Sequence, residues 1–74
     1  MTFKTHVRFG REITSAELTT KDEKLAEFVA AGVTNGERDV YGDRIWTTQE
    51  SADSWIAFLN TFDPAPIIAT VTDL

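Results

Sequence analysis

The stretch Trp46-Thr47-Thr48-Gln49-Glu50-Ser51-Ala52-Asp53-Ser54-Trp55-Ile56-Ala57-Phe58-Leu59-Asn60-Thr61-Phe62-Asp63-Pro64-Ala65-Pro66 decides how this chain is read. Ala52, Trp55, Ile56, Leu59 and Phe62 recur at helical spacing and form one apolar stripe, which Phe58 widens. Thr47-Thr48-Gln49-Glu50 matches a capping box, in which a Thr hydroxyl and a Glu carboxylate satisfy each other's backbone N–H groups. Asp63-Pro64-Ala65-Pro66 stops the helix, because proline lacks an N–H and pushes its predecessor out of the helical region. The spacing therefore predicts a helix over Thr48–Phe62. The β-branched run Ile67–Thr72 then reads as a strand.

At the other end of the chain, Phe3, Thr5, Val7 and Phe9 alternate with Lys4, His6 and Arg8, the pattern of a half-buried strand. Residues 11–19 fit either a bulged continuation of that strand or a loop that starts a helix early. Thr20-Lys21-Asp22-Glu23 is a further capping-box match, and Leu25, Phe28 and Val29 follow it at helical spacing, which predicts a helix over Lys21–Ala31 ending at Gly32. Between Glu37 and Thr47 the apolar phase breaks at Gly42-Asp43. A two-residue hairpin is the preferred reading, with a single bulged strand as the alternative. The order is then β-α-β-β-α-β, an α+β, ferredoxin-like arrangement in one domain, residues 1–74. It would place a four-stranded antiparallel sheet under two helices packed on one face. The other sheet face would be open, and a second copy of the chain is the expected cover, with Phe3, Trp46 and Ile68 as lining residues.

Twelve acidic and seven basic residues in 74 give a net charge of −5. No basic excess exists to neutralise phosphates, which argues against nucleic acid as a partner. The lack of cysteine excludes a disulfide scaffold, a thiolate metal site and a cysteine nucleophile. No apolar run approaches the ~18 residues of a membrane span, and the alternating start is unlike a secretory signal. The expected location is the cytoplasm.

Arg44-Ile45-Trp46 with the helix that follows, then Phe62-Asp63-Pro64-Ala65-Pro66 and the last strand, resembles small uncharacterised proteins of T4-like phages of marine cyanobacteria. That resemblance implies a phage accessory protein in the host cytoplasm but no known activity. The strand ending in Trp46 and leading into Thr47-Thr48-Gln49-Glu50 also looks like the dimeric α+β barrel class, which includes antibiotic-biosynthesis-type monooxygenases. The chain is shorter than those proteins and lacks the helix histidine they commonly carry.

Among candidate sites, His6 is the lone side chain with an ordinary pKa near neutrality. With Tyr41 it forms the ligand-contact pair under the enzyme or small-ligand alternative. Glu37, Asp39 and Asp43 are three carboxylates in seven residues, but Arg38 and Arg44 interleave with them, so salt bridges rather than a metal site are expected. The acids Glu12, Glu17, Asp22, Glu23 and Glu27 suit helix starts better than a decoy surface. Trp46, Trp55, Phe58 and Phe62 are the candidate partner-binding aromatics. No catalytic set, metal or cofactor is expected. The leading functional expectation is a non-catalytic accessory protein that binds a host protein as a homodimer. The alternatives are a monooxygenase-like enzyme or small-ligand binder, and a virion component.

Overall fold

The computed structural model describes residues 2–74. It is an α+β fold of strand β1 (Phe3–Arg8), helix α1 (Ser15–Ala30), strand β2 (Arg44–Trp46), helix α2 (Gln49–Leu59) and strand β3 (Ile68–Asp73). The sheet has three strands in the order β2-β1-β3, and β1 pairs antiparallel with both neighbours. β2 and β3 therefore run parallel with β1 between them, bridged by α2. No helix among the described residues is long and apolar enough to cross a membrane.

The pattern of β1 sorts the two sheet faces. Phe3, Thr5 and Val7 point to the helices, and Lys4, His6 and Arg8 to the open face. Trp46 pairs with Phe3, so it also points inward, where it is 0% exposed. Together with Ala52, Trp55 and Leu59 it forms the buried core. An indole N–H cannot be buried unpaired without cost. Here Trp46 Nε1–H donates to Thr5 Oγ1 at 2.9 Å, which explains a buried threonine at the centre of the apolar face. Aromatic rings continue outward from that point. Phe28 meets Trp46 edge-on at 5.1 Å, Trp46 lies 5.7 Å from Trp55, and Trp55 lies 5.7 Å from Phe58.

Three local expectations need correction. The sheet has no fourth strand among the described residues. Asp39 organises residues 39–43 as a tight loop: its carboxylate accepts the N–H groups of Tyr41 and Asp43, each at 2.9 Å, and Gly42 takes φ +85°. A single bridge, Arg38 to Arg44, and the 2.7 Å bond from Asp39 N–H to the Asp43 carbonyl remain of the hairpin. Val40 and Tyr41 sit at its tip, 91% and 81% exposed. Second, α1 starts six residues before Lys21, because the working capping box is Thr14 with Glu17. Thr20 instead donates its hydroxyl to the Ala16 carbonyl at 3.0 Å. Third, α2 is capped by Thr48, whose hydroxyl accepts from Ser51 N–H at 3.2 Å, and not by Thr47. It ends at Leu59, short of Phe62.

Of the residues expected to line a dimer face, Phe3 and Trp46 point into the protein. Only Ile68, paired with Arg8, lies on the open face.

Candidate anion-binding cavity

α2 packs on all three strands, and α1 makes no comparable contact with any of them. The sequence of α1 explains this. Its inner stripe is Glu17, Lys21, Lys24, Leu25 and Phe28, the residues that are buried or half-buried. Leu25 and Phe28 pack on the core. The first two turns present charged side chains instead, so apolar burial cannot draw that end of the helix down.

A cavity of about 310 Å³ lies beneath it, a size at the small end of ligand pockets. Val7, Phe9, Ile13, Trp55 and Leu59 form its apolar wall. Four of the seven basic residues, Arg11, Lys21, Arg38 and Arg44, line the same space, and no Asp or Glu does. A fifth, Arg8, reaches the rim, although its strand position faces the other side of the sheet.

The charges of this wall are unevenly compensated. Arg11 is satisfied on one side by two 2.7 Å hydrogen bonds to the Glu17 carboxylate. Those bonds, followed by the Thr14 N–H, pull the Glu17 carboxyl down to about 2. Arg11 Nε is buried and has no partner among the described residues. Arg44 donates from Nη1 to the Gly36 carbonyl at 2.6 Å and lies 5.8 Å from the centre of the Trp55 ring. Burial, then the charge of Arg38, pushes its pKa down.

Lys21 is the extreme case. It is 7% exposed. Among the described residues no carboxylate lies within ion-pair distance of Lys21, Arg38 or Arg44. Burial pushes the Lys21 pKa down, Arg38 and Arg44 push it further, and Asp22 opposes them. Its Nζ makes no hydrogen bond among the described residues but is not fully enclosed, so the stem is buried while the ammonium keeps some contact with solvent. The wall is thus cationic and holds no carboxylate of its own.

The open sheet face has its own polar cluster. Asp43, 7% exposed, accepts from His6 Nδ1–H at 2.7 Å and lies 3.6 Å from Lys4 Nζ. Asp43 is thus an ion-pair hub and Asp39 a turn builder, so the two carboxylates serve separate structural tasks. No three His, Asp or Glu side chains gather as metal ligands among the described residues. No hydroxyl is hydrogen-bonded to His6 among the described residues.

Neither His6 nor Tyr41 lines the cavity. Of the candidate partner-binding aromatics, Trp46 and Trp55 are 0% and 1% exposed and serve as core, while Phe58 and Phe62 are half-buried against it. The cation set was not singled out from the sequence. The available signal was Lys21, which precedes Leu25 by four residues and Phe28 by seven and so falls on the inward stripe of α1.

No protein-family model, curated protein or solved structure matches the chain.

Proposed function

We propose that this is a non-catalytic binding protein whose binding centre is the cavity under α1, and that it takes an anionic group there. The observation that carries the reading is Lys21, buried beside Arg38 and Arg44 in a wall without a carboxylate. Like charges gathered at one cavity lower stability, and such costs concentrate at functional sites. The apolar side of the cavity, from Phe9 to Trp55, suits an organic body attached to the anion. A phage-type accessory role in a host cytoplasm belongs with this reading as a further proposal, supported by the resemblance of residues 44–66. The oxygenase-like alternative loses support because His6 and Tyr41 are not at the cavity.

Thermal melts with phosphate against chloride at matched ionic strength test the reading, with isothermal titration beside them. A saturable rise of several degrees with phosphate is expected. A rise that only grows linearly with phosphate, as an excluded salt gives, or no rise at all, refutes it.

A further inference from the structure

The two edges of the sheet are treated differently. The outer edge of β2 is covered by the chain itself: Thr47 N–H donates to the Val33 carbonyl at 2.9 Å, Thr34 Oγ1 donates to the Ile45 carbonyl at 2.8 Å, and Arg38 bridges Arg44. Nothing covers the outer edge of β3 among the described residues. Leu74 N–H donates to the Thr2 carbonyl at 3.0 Å, which sets the alternation of the antiparallel ladder. The even-numbered residues of β3 turn their backbone groups to β1, and Ala69, Val71 and Asp73 turn theirs outward. No hydrogen bond reaches these outward groups among the described residues. Over Ile68–Asp73 the strand contains no lysine or proline and keeps an unbroken register with β1; its protection lies at its ends, where Ile67 N–H donates to the carbonyl of Arg8, the residue opposite Ile68, and Asp73 sets a carboxylate on the helix-side face.

We infer that β3 pairs with β3 of a second copy, antiparallel about a two-fold axis at Val71, to make one continuous six-stranded sheet. The side chains along the strand favour that occupant. A two-fold normal to the sheet keeps each face facing the same way, so residues opposite one another must share a face. With Val71 opposite its own copy, Thr70 meets Thr72, Ala69 meets Asp73 and Ile68 meets Leu74. No like charges oppose, two Thr–Thr pairs form, and Leu74, 60% exposed, gains an apolar neighbour. Moving the axis to Thr70 would set Leu74 against Pro66 and Asp73 against Ile67, and would pair even-numbered residues whose backbone groups β1 already takes. The Val71 axis places both cavities on the same side of the extended sheet. It is independent of what they bind.

Sedimentation equilibrium of the full chain over a micromolar concentration series tests the inference, starting from a monomer mass of 8.3 kDa. A concentration-dependent mass approaching twice that value is expected. The chain has no cysteine, so single thiols report the register. V71C should form a disulfide-linked dimer under mild oxidation, since residues opposite one another in a hydrogen-bonded pair lie about 5.5 Å apart at Cα, and T70C should not. The double variant T70E/T72E sets the introduced carboxylates against each other twice across the axis, while within one chain they lie beside His6 and Lys4. It should be monomeric with an unchanged circular dichroism spectrum. A monomer at every concentration, cross-linking by T70C instead of V71C, or a T70E/T72E dimer as tight as the parent overturns the inference.

Discussion

Lys21→Met separates what the lysine charge costs the fold from what it gives the site. Methionine keeps the unbranched stem and a similar helix propensity, so packing along α1 is preserved and only the charge is lost. The position is 7% exposed, and the charged neighbours felt there are Arg38 and Arg44, which repel, and Asp22, which attracts. Replacing buried charged groups by apolar ones of like volume often stabilises by about 1–4 kcal/mol. Asp22 and access of water through the cavity put this site near the lower end, about 1 kcal/mol. That corresponds to a melting temperature higher by ~4–8 °C for a domain of this size. The ligand changes the balance. Phosphate at ten times its Kd stabilises the parent by about 1.4 kcal/mol, or ~6–11 °C, and Lys21→Met should lose most of that increment. The assay is a set of melts at matched ionic strength, with and without saturating phosphate. Lys4→Met, on the opposite sheet face, serves as the control that keeps the ligand increment. If Lys21→Met melts below the parent without phosphate and still gains the full phosphate increment, Lys21 is a structural residue and the argument fails.

Two further perturbations test the supports of the site. Thr5→Val removes the acceptor of the Trp46 indole N–H and leaves that donor buried, a loss of about 1–3 kcal/mol, which chemical denaturation followed by tryptophan emission will read. Glu17 has its folded carboxyl held at about 2 by Arg11 and Thr14, below the unfolded value near 4.5. Its contribution is therefore complete above about pH 4.5 and is lost as the pH falls toward 2. The parent should lose melting temperature across that window, and Glu17→Gln should flatten this part of the pH profile; equal slopes for the two proteins would contradict the assignment.

How far the sequence showed this structure depends on which physical signal each residue carries. The stripe from Ala52 to Leu59 and the alternation of Phe3, Thr5 and Val7 were legible because burial imposes a period, and both produced the expected elements within a few residues. The start of α1 was misplaced because Thr20-x-x-Glu23 reads as its cap, while the cap that forms is Thr14 with Glu17. Thr14 wins where Arg11 also grips Glu17, and that contact depends on a turn that no local pattern announces. The fourth strand failed for a related reason. Asp39 accepts from two backbone groups across Gly42, and this loop consumes the residues that a hairpin needed. The cavity was half legible. Lys21 stands in phase with Leu25 and Phe28, but Arg11, Arg38 and Arg44 come from three other segments, and only the tertiary fold brings them to one wall.

The pairing of the two indoles has a practical consequence. Trp46 and Trp55 are all the tryptophan the chain has, and they lie 5.7 Å apart. Trp55 lines the cavity and has the Arg44 guanidinium close to its ring, while Trp46 is locked to Thr5 in the interior. The native emission of the protein is thus dominated by a coupled pair with one member at the site and the other in the core. If the proposed occupant draws Arg44 away from Trp55, the emission should change, so binding can then be followed without a label and against an internal reference for the integrity of the fold.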